Sequence, residues 1–375
     1  EKIGTQIMGN AAPQVKTGGA AAQRDPLNYI QHDMPKLMKK SELGTGKFMK
    51  SFLCKVEEGV PIVVKVYVRH EGEREEGIFR AKAGVEEVRL KLAALDSPNV
   101  LPYQQAIVGE QIRGARFTSA AYVVRQHFYT SLNDRLSMRP FLSAVEKKWI
   151  VYQLMVAAKQ AHEAGVCHGD IKTENVMVTS WTWIVLTDFA SFKPTYLPED
   201  DPTDFNTFFA STGGSKRCYL APERFFSSAQ EAEADATFKG LDGQAGTAQQ
   251  GSLASNSSSS SSSNSSGGSS GSGGGGGSAS LSSNSVSSRF LAPLVPSMDV
   301  FSLGCVVAEV FLGAPVLDLP TLLQYRAGGE EGLDAKVVAK LDKLDALAST
   351  SSSSDSAAAA RRSGERGEGE GAALE

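Results

Sequence analysis

Cysteine is scarce and scattered in this chain. The four present, Cys54, Cys167, Cys218 and Cys305, include no C-x-x-C pair. That excludes a zinc ribbon and a secreted disulfide framework, and it predicts a reducing compartment, cytosol or nucleus. Long apolar runs are missing too, none approaching the roughly 20 residues that a bilayer-spanning helix needs. No excess of one charge exists: 38 basic and 42 acidic residues leave a net charge of -4. Nucleic acid is therefore not expected as a partner, because nothing in the balance would draw a polyanion. A secretory signal, basic then apolar, is also absent.

Serine and glycine, in contrast, are abundant and unevenly placed. The stretch 228–288 is dominated by Ser, Gly and Ala with few apolar side chains, and the tail 349–375 reads similarly. Neither offers enough apolar surface to offset the entropy of ordering, so 228–288 is expected to be a disordered insertion in a surface loop. Plain low complexity accounts for its composition, with a phosphoserine platform as the alternative. Residues 1–26 are read as a flexible N-terminus. Within them Met8-Gly9-Asn10 would be an acylation start at Gly9 if Met8 were the initiator, although Pro13 stands where a Ser or Thr is wanted. What can pack is 27–348 apart from that insertion, a single large domain of two lobes divided near residue 125, the first about 41–125 and the second about 126–348.

Periodicity fills in the lobes. Val60 to Val68, VPIVVKVYV, predicts a strand, as does Ala121 to Arg125, with a helix over Ile78 to Leu95 between them. Ser143 and Glu146 form a capping box opening a long helix whose Ile150, Leu154, Ala157 and Ala161 share a face, with Gly165 as its stop. Two short strands follow at Val176 to Thr179 and Trp183 to Thr187. Met298 to Phe311 is apolar on nearly every side, which predicts a helix buried within the lobe. The fold class is α+β: a β-rich N-lobe, then a helical C-lobe.

The chemistry concentrates in three motifs, His168-Gly169-Asp170-Ile171-Lys172-Thr173-Glu174-Asn175, Thr187-Asp188-Phe189-Ala190 and Ala221-Pro222-Glu223. Phosphoryl transfer asks a protein mainly for positioned charge and an oriented hydroxyl. Asp170 can accept the hydrogen bond of the attacking hydroxyl, and Lys172 can neutralise the transferred group. Asn175 and Asp188 offer hard oxygen ligands suited to Mg2+. Lys65, in the VVKVY strand, is placed to hold ATP phosphates, with Glu87 as its expected helix partner and Glu86 as the alternative. Leu43, Gly44 and Gly46 belong to a glycine-rich loop above the nucleotide, while Glu223 and Asp299 are structural candidates. Any one of these has a bland reading, such as a strand lysine reaching water or an Asp capping a helix. Their order and spacing together give the pattern of a protein kinase.

From Ser41 to Tyr325 the chain resembles the eukaryotic protein-kinase superfamily. Within it HGDIKTENVMVTSW, TDFASFKPTYLPEDDPTDFN, YQLMVAAKQAHEAGV and PVLDLPTLLQYR are similar to the regulatory, kinase-like subunits of class III phosphatidylinositol 3-kinase complexes. That resemblance implies ATP and Mg2+ as cofactors and a protein substrate. It also implies the lipid kinase catalytic subunit and its autophagy and endosome adaptors as partners. Acylation of Gly9 and peripheral attachment to endosomal, vacuolar or autophagic membranes from the cytoplasmic side follow from it as well. It further implies helical-repeat and propeller regions beyond a C-lobe that looks unfinished here. Departures temper the activity. Met49 replaces the third glycine of the loop, Gly169 the Arg of H-R-D and Ala190 the Gly of D-F-G. A serine/threonine kinase and a nucleotide-binding scaffold both remain open. A small-molecule phosphotransferase, suggested by H-G-D, is opposed by Lys172 and by Ala221-Pro222-Glu223.

Overall fold

A computed structural model describes residues 26–56, 59–69, 75–109, 120–210, 217–227, 293–347 and 349. Gly9, the serine-rich stretch 228–288 and nearly all of the tail lie outside the described residues.

The N-lobe starts earlier than expected. A helix, α1 (Pro26–Asp33), precedes β1 (Leu37–Thr45), β2 (Lys50–Val56) and β3 (Pro61–Val68). Next come α2 (Glu75–Ala93), the two-residue β4 (Val100–Leu101), β5 (Gln105–Val108) and β6 (Ala120–Gln126). Five of the strands make one antiparallel sheet in the order β1-β2-β3-β6-β5. Strand parity decides which face each side chain serves. Ile62, Val64 and Val66 of β3, with Tyr122 and Val124 of β6, point to α1 and pack on Tyr29, Ile30 and Met34. The Tyr122 hydroxyl donates to Asp33 at 2.5 Å, tying helix to sheet. The other parity faces the cleft and α2. It carries Val63, Lys65, Val123 and Arg125, paired Val63 to Arg125 and Lys65 to Val123.

The C-lobe follows through α3 (Leu132–Ser137) and α4 (Ala144–Glu163). Both open on capping boxes, Ser131 with Asp134 and Ser143 with Glu146. Ile150, Leu154, Ala157 and Ala161 of α4 are buried on one face as the 3.6 period predicts. Gln153 joins them because its side chain accepts from Asn99 Nδ2 and from the Ile184 amide, satisfying a polar group that burial would otherwise penalise. The chain turns out of α4 through Gly165 at φ 68°. Strands β7 (Val176–Val178) and β8 (Ile184–Thr187) pair antiparallel, and β4 joins β8 parallel. Beyond lie β9 (Leu197–Pro198), α5 (Thr203–Phe208) and β10 (Phe225–Phe226), with β9 and β10 parallel. The apolar helix α6 (Pro296–Leu312) is buried over much of its length, with Val306 and Val310 packed against Ile150, Leu154 and Leu186. It ends on Gly313 at φ 73°, and α7 (Leu319–Gly328) and α8 (residues 335–347) complete the described C-lobe.

Candidate active site

Between the lobes lies a cleft of about 590 Å3, which falls in the size range of small-molecule sites. Its floor is the loop after α4, and one carboxylate organises that loop. Asp299, in the first turn of α6 and 1% exposed, accepts the amides of His168 (2.6 Å) and Gly169 (2.9 Å) and a hydrogen bond from His162 Nε2 at 2.9 Å. The helix N-terminus favours the negative charge there. Burial alone would raise the Asp299 carboxyl, but the hydrogen bonds from His162 and from the His168 and Gly169 amides outweigh it and lower it. The His168 ring donates from Nε2 to the Thr187 carbonyl, and its Nδ1 accepts the Asp170 amide. That pattern requires a neutral imidazole, and burial pushes its pKa down accordingly. Gly169 sits at φ 78°, where an added Cβ would lie 2.6 Å from Leu294 Cδ1. An Arg here would be strained by that φ and would have to push the Leu294 side chain aside.

Asp170 is thereby aimed into the cleft. Its Oδ2 accepts Lys193 Nζ at 2.7 Å, Asn175 Nδ2 at 3.1 Å and Lys172 Nζ at 3.2 Å. Asn175 also donates to the Asp170 carbonyl at 2.7 Å, which closes the loop on itself. Burial would raise the carboxyl, yet Lys172 and Lys193 hold it at about 2. Lys193 itself is pushed down to about 8, chiefly by burial, which the ion pair with Asp170 only partly offsets.

Asp188, at the end of β8, adopts φ 67°, a left-handed conformation that non-glycine residues keep mainly where surroundings enforce it. Those surroundings are cationic. Arg125 grips both carboxylate oxygens, Nε to Oδ1 at 2.7 Å and an Nη to Oδ2 at 3.2 Å, while Lys65 Nζ lies 2.9 Å from Oδ2. Burial is outweighed by Arg125 and Lys65, and the carboxyl titrates well below the usual range. Lys65 also lies 5.7 Å from the Tyr103 ring centre.

The helix carboxylate expected beside Lys65 is not there. Glu87 is 64% exposed and pairs with Lys91 one turn along, so the expectation is corrected in favour of Asp188. Helical phase explains it, since Glu87 stands two residues, about 200°, around from the buried Val85. Glu86, the alternative, pairs with Arg89 and accepts the Ala106 amide at 3.4 Å.

Leu43, Gly44 and Gly46 line the roof, with Phe48 and Met49 beside them. Phe48 packs on Phe208 of α5 (ring centres 4.7 Å apart) and on Phe192 (6.0 Å), so the segment after Asp188 folds up against the glycine loop. Glu223 is exposed, and its neighbour Arg224 is the structural residue of that motif. Arg224 is 2% exposed and donates to the carbonyls of Thr195, Gly169 and Pro194 at 2.8, 2.8 and 2.9 Å. Five basic side chains, Lys65, Arg125, Lys172, Lys193 and Arg217, line the cleft against three acidic ones, Asp170, Glu174 and Asp188.

Sequence reasoning passed over Lys193 and Arg125. Lys193 follows Asp188 by five residues with no motif to mark it. Arg125 closes an apolar strand, but it shares the parity of Val123 and stands opposite Val63, which puts it on the cleft face.

Residues 37–237 match the protein kinase domain family. The chain belongs to that family. It is 42% identical over 306 residues to the serine/threonine-protein kinase VPS15 of Arabidopsis thaliana, covering 80% of this chain and 16% of that protein. The probable serine/threonine-protein kinase vps15 of Dictyostelium discoideum is 34% identical over 301 residues, 80% of this chain and 12% of that protein. To VPS15 of Saccharomyces cerevisiae the identity is 34% over 291 residues, 76% of this chain and 15% of the relative. The kinase chain thus spans about a sixth or less of the length of these relatives.

Kinase domains as a class use ATP and Mg2+. Lys65 and Asp170, expected from the sequence to face the phosphates and the attacking hydroxyl, both line the cleft. The expected metal pair, Asn175 and Asp188, does not fit a bound Mg2+ in this arrangement. Both oxygens of Asp188 are already held by Arg125 and Lys65, and a divalent ion would have to displace cations that Asp188 accepts at hydrogen-bond distance.

Proposed function

We propose that this chain is the kinase domain of a regulatory subunit of a class III phosphatidylinositol 3-kinase complex. It binds a nucleotide between its lobes and transfers phosphoryl from ATP to protein Ser/Thr hydroxyls slowly. The observation carrying the reading is the cluster at Asp170, where Asn175 orients the carboxylate and Lys172 stands ready to neutralise a transferred phosphoryl group. The VPS15 relatives support placing it beside the lipid kinase, in autophagy and endosomal or vacuolar sorting. Peripheral membrane attachment, with acylation of Gly9, belongs to the same proposal. Purification of the native protein followed by mass spectrometry tests the placement: the lipid kinase catalytic subunit should co-purify, and its absence would overturn it.

A second reading, a nucleotide-binding scaffold with little transfer, is favoured by the pairing of Asp170 with Lys193. The two are separable by pH. Below about 8 Lys193 carries its proton and holds Asp170, and above it the proton leaves and the carboxylate loses that ion pair, keeping Lys172 and Asn175. Transfer to a generic protein substrate, followed with labelled ATP, should therefore climb between pH 7 and 9. Lys193→Met should raise it at pH 7 by about fivefold, the rate equivalent of releasing roughly 1 kcal/mol of ion pairing, and flatten the profile. Two flat and equal profiles would leave the scaffold reading standing.

A further inference from the structure

Among the described residues the least expected contact in the cleft is Arg125 on Asp188. The side chains are 8% and 5% exposed, so water does not screen the pair. Arg125 comes from β6 and Asp188 from β8, with 63 residues between them, and the guanidinium also donates to the Gln126 carbonyl at 3.0 Å. Lys65, on the neighbouring strand and the same face, completes a site in which one carboxylate meets two cations. In a metal-dependent site the carboxylate recruits a divalent ion, and the ion brings positive charge to the phosphates. Here that charge is covalently attached. The basic excess of the lining leaves the cleft net positive without any ion.

We propose that Arg125 stands in for the divalent metal at Asp188, so that the cleft binds the polyphosphate of a nucleotide without Mg2+. The inference rests on the nucleotide site proposed above. It adds the ionic form that is bound, the free nucleotide anion, and the residue responsible. The fork of Arg125 can hold Asp188 through Nε and one terminal nitrogen while its field, with that of Lys65, reaches the cleft. Phosphates binding to such a pair release no metal and need none.

The experiment is a fluorescence titration of the full chain, or of the complex in which it is purified, with a mant-labelled ATP, in excess EDTA and in millimolar Mg2+. The expected wild-type Kd changes by less than about threefold between the two, whereas a metal-dependent site would weaken by about tenfold or more in EDTA. Arg125→Met should restore the dependence, weakening binding in EDTA by about tenfold more than binding in Mg2+. Arg125→Lys, which keeps a charge but loses the fork, should fall between. A wild-type chain that binds only with Mg2+ would overturn the inference without recourse to any variant. A variant that still binds in EDTA as the wild type does would make Arg125 a structural ion pair only, and overturn it too. Failure of a cooperatively melting wild type to bind in either condition would instead remove the nucleotide site, and the inference with it.

Discussion

Asp299→Ala should destabilise the C-lobe by about 3–5 kcal/mol, the cost of removing one partner from a buried, fully bonded carboxylate. Two amides, those of His168 and Gly169, would lose their acceptor in a place that water does not reach, and His162 would lose its partner. For a domain of this size the melting temperature should fall by roughly 10 °C. Asp299→Asn keeps an acceptor oxygen and should lose less. The pH dependence has a definite sign. The carboxyl is lowered in the folded chain from an ordinary value of 3.8, so its contribution is complete at neutral pH and drains away as pH falls through the folded value. Urea unfolding of wild type and variant at pH 7 and in acid would check both points. An Asp299→Ala chain as stable as wild type at pH 7 would remove Asp299 from the centre of the loop.

Asp170→Asn should cost about 10²- to 10⁴-fold in phosphoryl transfer, the usual contribution of a positioned general base. The amide is nearly the same size, so the change removes basicity and not bulk. It also leaves Lys172 and Lys193 without their carboxylate. Lys193, already pushed down to about 8, should then give up its proton more readily. Nucleotide binding is expected to survive, because Lys65 and Arg125 hold their own carboxylate. Single-turnover transfer and equilibrium binding, measured on the same sample, separate the two. Transfer persisting at more than about a tenth of wild type would deny Asp170 its role.

Much of this was legible along the chain. β-Branched residues packed into PIVVKVYV admit little but a strand, and the Ser143 box with its four apolar followers locates α4 to within a residue. The loop from His168 to Asn175 carries its function in consecutive positions, so spacing alone reveals it. Harder to see was α1, eight residues in which Leu27, Tyr29 and Ile30 span barely one turn, too short a run to establish a period. Strand β1, LMKKSELGT, lacks alternation and has two register shifts against β2, which is why only its glycine loop drew notice. The identity of Lys65's partner was beyond reach for a different reason. Helical phase discriminates Glu86 from Glu87, but nothing local says that a carboxylate 123 positions further on will arrive first. Arg125 and Lys193 belong to the same class: long side chains whose targets are set by the fold and not by neighbours in sequence.

Arg224 carries a consequence for timing. Kinases that use an arginine beside the catalytic aspartate wait for a phosphate to arrive on the segment before it is drawn into place. Here Gly169 has no side chain to offer, and its carbonyl is instead seized by Arg224, along with those of Pro194 and Thr195. The three acceptors are uncharged and present in every copy from synthesis onward. No later event supplies them and no phosphatase can withdraw them. The start of the segment after Asp188 is thus positioned by uncharged backbone acceptors, without a phosphate.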